Sequence, residues 1–111
     1  MKKIAELYSP HFLPLVILQN DAVAYLLKCE FYYYHAPKND IIVLTGDTQS
    51  ISPEGHYDVC EKVLDFAEKM GVKDIITLGG FAEGHEVAEP RVIGAVNDKN
   101  LIKKYEKFDI D

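Results

Sequence analysis

The sequence predicts a single α/β domain over residues 1–111, with a mixed sheet built around a parallel βαβ core. Two short apolar runs, residues 41–44 and 75–78, are typical of strands that are covered on both faces. A helix of crossover length is predicted between them, and such a connection favours parallel strands. The first third of the chain instead alternates short β-rich runs with turn residues, which predicts antiparallel strands.

In that first third, strands are predicted at residues 4–8, 16–18, 23–27 and 31–34. Pro10 and Pro14 predict a bend after the first strand, since proline has no backbone N–H to donate to a ladder. Asn20 and Asp21 are favoured turn residues, so the second and third strands are expected to form a hairpin around them.

The helix after the strand at 41–44 has a well-marked start and end. Ser52 can cap it, Pro53 suits the first helical position, and Glu54 lies at the positive end of the helix dipole. Gly71 predicts a left-handed cap after Met70. Residues of the apolar stripe recur every three or four positions: Tyr57, Cys60, Val63, Leu64, Ala67 and Met70.

The last third predicts the second buried strand at 75–78, a further strand at 91–96 after Glu89-Pro90, and a helix at 99–107 with Asn97 or Asp98 near its cap. Met1 leads almost directly into a strand, and the last helix leads into no strand. We therefore expect the domain to be incomplete at both ends.

Composition excludes several classes of protein. The chain is 48% hydrophobic and 27% charged, as in soluble globular proteins, and its net charge of −6 leaves no basic footprint for nucleic acid or anionic membranes. No apolar run approaches the roughly 20 residues that span a bilayer. Cys29 and Cys60 lie in different elements without metal-ligand spacing, and nothing before them is typical of a signal peptide, so we expect a cytoplasmic protein in a reducing compartment.

A small polar ligand is one possibility for the predicted carboxyl ends of the parallel strands, where open α/β sheets bind ligands. The candidates have glycines for close backbone approach and side chains with donors and acceptors: Gly46, Asp47, Thr48, Gln49, Gly79, Gly80 and Glu83. The alternative is that these are ordinary turn residues. Neither loop has a dinucleotide or phosphate-loop pattern.

Catalytic and metal chemistry have no sequence support. His56, His85 and the nearby carboxylates lack ligand spacing, so no metal and no cofactor is expected. Ser50 and Ser52 have no identifiable base, and Cys60 is expected in the core. We therefore predict no catalytic residue.

Aromatic residues indicate a possible protein interface. In the strand at 31–34, alternation places Tyr32 and Tyr34 on one face, which must meet another layer or another chain. Tyr8, His11 and Phe12 lie in a proline-rich loop that can anchor a contact. The alternatives are a two-sided core strand and a simple bend.

Six segments together resemble the archaeal members of the proteasome assembly chaperone two family: ELYSPHF at 6–12, FYYY at 31–34, IVLTGDTQ at 42–49, PEGHY at 53–57, TLGGF at 77–81 and EPRV at 89–92. The resemblance runs from residue 4 to residue 101. It implies a three-layer α/β/α sandwich similar to the phosphorylase and hydrolase group, a cytoplasmic location and self-association. It also implies a role in assembling proteasome α subunits or a related scaffold task.

Two family features differ here. Family members usually begin with a glycine-rich strand and continue past residue 111. Some archaeal members engage the proteasome through a hydrophobic-tyrosine C-terminal tail, whereas this sequence ends Phe108-Asp109-Ile110-Asp111.

The function expected from the sequence is a non-catalytic, homo-oligomeric protein-binding module that resembles a proteasome assembly chaperone. The alternatives are a small-molecule hydrolase or phosphorylase-like enzyme with a polar site at the strand ends, and a purely structural fragment.

Overall fold

The computed structural model describes residues 1–80, 82–108 and 110. The chain divides into two compact units, Met1–Ile75 and Ile76–Asp111, each with its own internal packing. The expectation of one domain over the whole chain stays a prediction.

The first unit contains a three-stranded antiparallel sheet with the order β1-β4-β5. The strands are β1 (Lys2–Leu7), β4 (Cys29–Tyr34) and β5 (Ile41–Gly46). β4 is central, and Phe31 pairs with Ala5 on one side and Leu44 on the other. β-branched and aromatic residues dominate β4 and β5, as suits a pleated and partly covered surface.

A separate hairpin joins β2 (Val16–Leu18) to β3 (Ala24–Leu26), with Ile17 paired to Tyr25. In its turn, the Asp21 carboxylate accepts a hydrogen bond from Val23 N at 3.0 Å. The hairpin predicted around Asn20-Asp21 is confirmed.

The helix α1 (Pro53–Lys69) has the predicted cap. Ser52 is extended, and its Oγ accepts a hydrogen bond from Gly55 N at 3.0 Å. At the other end Gly71 has a φ of 74°, which glycine adopts without strain. The sequence therefore fixes both ends of this helix through local chemistry.

The core of the first unit is small and lies between β4 and α1. The rings of Phe31 and Phe66 have centroids 4.3 Å apart, and Phe12, Cys29 and Phe31 are the buried apolar residues. The predicted helix stripe is partly wrong. Phe66 was not assigned to it, whereas Tyr57, Leu64 and Met70 were and are exposed. Cys60 is exposed as well, so the expectation that it lies in the core is wrong.

The predicted parallel βαβ core, and with it the three-layer α/β/α sandwich of the phosphorylase and hydrolase group, is wrong. β5 forms as a strand, but it pairs with β4 in the antiparallel sense. Residues 75–78 form no strand, nor do residues 91–96. An apolar run indicates a segment that favours burial, but it does not predict which strand that segment pairs with or whether the pair is parallel or antiparallel.

The short loop between β4 and β5 explains the direction of pairing. A reversal over six residues suits antiparallel neighbours, whereas parallel strands need a long crossover. Asp40 closes this loop by accepting a hydrogen bond from the Tyr33 hydroxyl at 2.7 Å and contacting His35 Nδ1 at 2.7 Å.

The second unit ends in a short helical segment. A 3-10 turn (Lys99–Leu101) leads into α2 (Ile102–Tyr105), and a second 3-10 turn follows (Glu106–Phe108). Asp98 caps the start, since its Oδ1 accepts a hydrogen bond from Asn100 N at 2.9 Å. The helix predicted at 99–107 is confirmed in position.

Candidate functional site

The first candidate loop follows β5 and uses its polar groups locally. The Asp47 carboxylate accepts a hydrogen bond from Lys28 N at 3.1 Å, and Asp47 N donates to Lys28 O at 3.0 Å. The Thr48 hydroxyl donates to Gln49 O at 3.0 Å. The two bonds between Asp47 and Lys28 tie the end of β5 to the start of β4, and the Thr48 bond stays within the loop, as is usual for turn residues.

Gly46 allows the close contact in this loop. A Cβ atom at this position would lie 2.7 Å from the Cys29 Sγ, well inside contact distance. The glycine is therefore needed for the approach of β5 to a buried side chain of β4, independently of any ligand.

The second candidate loop belongs to the second unit, where Gly79, Gly80 and Glu83 are exposed. His85 lies 3.7 Å from the Glu83 carboxylate. Phe81, part of this predicted loop, lies outside the described residues. The ligand-binding role of Gly46, Asp47, Thr48, Gln49, Gly79, Gly80 and Glu83 stays a prediction.

A polar cluster holds the start of α1. Ser50 Oγ is in hydrogen-bond contact with His56 Nδ1, a partner that sequence reasoning missed because the two residues lie on opposite sides of the helix cap. Ser50 is only 8% exposed, so little of the residue is open to solvent. The contact stabilises the cap and gives no support to nucleophilic catalysis.

His11 is also bound to this helix start. Its Nε2 lies 3.2 Å from the Asp58 carboxylate, and its carbonyl accepts a hydrogen bond from Ile51 N at 2.9 Å. A Cβ on Gly55 would come within 2.6 Å of the His11 Cβ. The imidazole of His11, one of the predicted interface residues, therefore already has a partner within the chain.

The other two interface candidates in the proline-rich loop are Tyr8 and Phe12, and both border an open apolar groove of about 540 Å³. The lining also includes Pro10, Leu13, Pro14, Leu15, Val16 and Leu26. Sequence reasoning identified the loop but missed the hairpin wall, because nothing in the sequence places β2 and β3 beside residues 8–15.

A charged network covers the sheet face opposite α1. Glu6 accepts hydrogen bonds from Lys3 at 2.8 Å, the Tyr8 hydroxyl at 2.7 Å and Lys28 at 3.2 Å. These three donors, Lys3 first, lower the pKa of Glu6 from its ordinary value to about 2.

Tyr32 belongs to the same face, and its hydroxyl donates to Glu30 at 2.9 Å. That bond raises the pKa of the Tyr32 hydroxyl above its ordinary value. Tyr34, two residues along β4, has an exposed ring on the same side. The prediction that Tyr32 and Tyr34 share one face of the strand therefore agrees with the strand geometry.

Other kinds of site have no support within the described part of the chain. Residues 1–80, 82–108 and 110 contain no group of three or more His, Cys, Asp or Glu side chains that could hold a metal ion. The helices among them are all too short or too polar to cross a membrane.

Comparison with known proteins gives three consistent findings. The model of the PAC2 family matches residues 1–111. The uncharacterized protein MJ1210 of Methanocaldococcus jannaschii is 37% identical over 109 residues, which are 98% of this chain and 42% of that protein.

A solved structure is also similar. The crystal structure of Pyrococcus furiosus PbaB, described as an archaeal proteasome activator, matches with a TM-score of 0.88 and 43% sequence identity. The match covers 96% of this chain and 46% of PbaB. The chain thus spans somewhat less than half the length of both relatives.

Proposed function

The chain belongs to the PAC2 family, and on that basis we propose that it is a non-catalytic protein-binding module that acts in proteasome assembly or activation. Its partner would be the proteasome α subunits, which implies a cytoplasmic location. The likeness to PbaB, an archaeal proteasome activator, supports the proteasome as the assembly concerned.

The observation that carries the proposal is the apolar groove between the proline-rich loop and the β2–β3 hairpin. Apolar residues on this wall are largely open to solvent, among them Leu15, Val16 and Leu26. Contiguous exposed apolar surface of this kind marks interaction sites. A two-stranded hairpin is also marginally stable alone, so a partner that covers it would stabilise both.

We also propose that the protein forms homo-oligomers through the face of β4 that carries Tyr32 and Tyr34. Tyrosine suits a surface that alternates between water and a partner, because its ring is apolar and its hydroxyl is polar. Light scattering should give an oligomeric mass for the wild type and a mass closer to the monomer when both tyrosines are changed to Ser. A monomeric wild type would contradict this part of the proposal.

The hydrolase or phosphorylase alternative is less favoured. Asp47, which this alternative would use together with Glu83 as an acid and base pair, already accepts a hydrogen bond from Lys28 N at 3.1 Å. An enzyme would have to break this bond to use the Asp47 carboxylate freely.

The proposal is tested by gel filtration of the 111-residue protein with purified archaeal proteasome α subunits. Leu15→Asp places a charge in the groove, where the native side chain is 59% exposed. Leu18→Asp is the matched control, since Leu18 is 71% exposed on the neighbouring strand β2 but does not line the groove.

We expect the wild type and Leu18→Asp to elute with the α subunits. Leu15→Asp should lose at least about tenfold in affinity, because docking would bury an unpaired charge. A wild type that elutes alone would refute the proposal. Equal loss in both variants would refute the groove as the contact.

A further inference from the structure

Apolar residues of α1 lie on the side of the helix that packs on the sheet and also outside that side. Successive helical residues are about 100° apart, so Gly55, Val59 and Phe66 share the side that faces β4. Tyr57 and Leu64 lie on the opposite side of the helix and are 81% and 53% exposed. Cys60, one turn from each, is exposed too. These three residues form an uncovered apolar stripe.

An acidic row runs along the outer edge of this stripe. Its members are spaced by seven, four and three residues, which places them on one helix face: Glu54, Glu61, Asp65 and Glu68. All four are exposed, and none forms an ion pair with another described residue. The stripe therefore lies on the side of α1 away from the sheet, and negative charge borders it along one edge.

A cleft continues the stripe at the start of α1. It has a volume of about 370 Å³ and is lined by His11, Glu54, Tyr57, Asp58 and Glu61. Asp58 is paired with His11 at 3.2 Å, whereas the other two carboxylates have no partner among the described residues. A Lys or Arg side chain suits this cleft, since it can meet both carboxylates and the Tyr57 ring.

We propose that this α1 surface, defined by the stripe, the acidic row and the cleft, docks a basic amphipathic helix of a partner protein. Apolar side chains of that helix would cover Tyr57, Cys60 and Leu64, and its Lys or Arg residues would follow the acidic row. In this mode two amphipathic helices pack against each other along their apolar faces, and charge selects the partner. The inference rests on the proposed protein-binding function and adds the chemistry of a partner.

Charge decides between the possible occupants. Two copies of this surface would bring two acidic rows together, and like charges across an interface are unfavourable. Nucleic acid and anionic membranes carry the same sign of charge as the row. A basic protein helix alone matches both the apolar stripe and the charge beside it.

The test uses the 111-residue protein and a synthetic 18-residue helical peptide. The peptide has Leu at positions three, four and seven apart, with Lys and Arg on both flanks. Its controls are a scrambled peptide of the same composition and an analogue with Glu in place of Lys and Arg. Binding is followed by fluorescence anisotropy at two salt concentrations.

Two pairs of charge reversals separate local from general electrostatics. Glu61→Lys with Asp65→Lys should weaken binding of the basic peptide at least about tenfold, because both carboxylates belong to the row. Glu86→Lys with Glu89→Lys changes the net charge equally in the second unit and should leave binding unchanged. Leu64→Ser should also weaken binding at an unchanged melting temperature.

Cysteine reactivity locates the contact directly. Cys60 is exposed within the stripe and Cys29 is buried, so a thiol reagent should modify Cys60 first. Saturating basic peptide should slow modification of Cys60 at least about tenfold. An unprotected Cys60, equal binding of the scrambled or acidic peptide, or equal effects of the two charge pairs would overturn the inference.

The same variants distinguish this inference from the proposed function. If Glu61→Lys with Asp65→Lys converts a homo-oligomer to monomer, the surface joins copies of the chain and the inference is wrong. Leu15→Asp should leave peptide binding intact, because the groove residues do not belong to the α1 surface. A Leu15→Asp variant that loses α-subunit binding but keeps peptide binding would therefore bear on the proposed function and not on the α1 surface.

Discussion

Gly55→Ala should destabilise the protein, although Ala is normally the better helix residue. A Cβ at position 55 would lie 2.6 Å from the His11 Cβ and 2.8 Å from its Cγ. The His11 backbone cannot easily move away, because its carbonyl is bound to Ile51 N at 2.9 Å. Relief of the clash therefore requires a shift of the loop or of the helix start.

The magnitude follows from two opposed effects. Overpacking a tight contact costs about 1–3 kcal/mol. Replacing a helical Gly by Ala gains at most about 1 kcal/mol. We expect a net loss of about 1–2 kcal/mol in the free energy of unfolding, measured by urea denaturation followed by circular dichroism at 222 nm.

A double-mutant cycle assigns the loss to this contact. His11→Gly removes both clashing atoms, so Gly55→Ala should become neutral or stabilising in that background. His11→Ala keeps the Cβ and should rescue only in part. Gly79→Ala is the matched control, since nothing lies within 4 Å of its added Cβ. A Gly55→Ala variant at least as stable as the wild type would refute the reasoning.

Three further predictions concern the first unit. The pKa of Glu6 should be about 2 in a carboxyl NMR titration and should rise after Lys3→Met. Because folding lowers this pKa, the contribution of Glu6 to stability is present above about pH 4.5 and is lost as the pH falls toward 2. An unchanged Glu6 titration in the variant would contradict this prediction. Ser52→Ala removes the helix cap and should cost about 0.5–2 kcal/mol by the same urea measurement, whereas Ser52→Thr should cost less. Gly46→Ala should lower the free energy of unfolding by about 1–3 kcal/mol, because its Cβ would lie 2.7 Å from the Cys29 Sγ. The loss should be smaller when Cys29 is also changed to Ala. If the losses of the two single variants simply add in the double variant, the contact does not cause the effect.

Local chemistry made part of this fold predictable. The ends of α1 depend on Ser52, Pro53 and Gly71, which act within their own turns, and the hairpin turn depends in the same way on Asp21. Such signals do not need the rest of the chain. They were confirmed for that reason.

Pairing between distant segments was not predictable in the same way. The run at 41–44 became β5, but its direction depends on the loop closed by Asp40, and the similar run at 75–78 forms no strand. Phe66 was missed because α1 has apolar residues on two adjoining faces, and a stripe drawn by spacing alone merged them. The contact of Ser50 with His56 and the hairpin wall of the groove likewise depend on tertiary placement.

Hydrogen exchange followed by mass spectrometry, with and without purified archaeal proteasome α subunits, tests the central claim most directly. If the groove binds these subunits, amides in residues 8–16 and 24–27 should exchange more slowly in the complex, because docking opposes local opening of the loop and hairpin. Amides in residues 45–50 should be unchanged. Protection confined to residues 45–50, or no protection anywhere at saturating α subunits, would contradict the account.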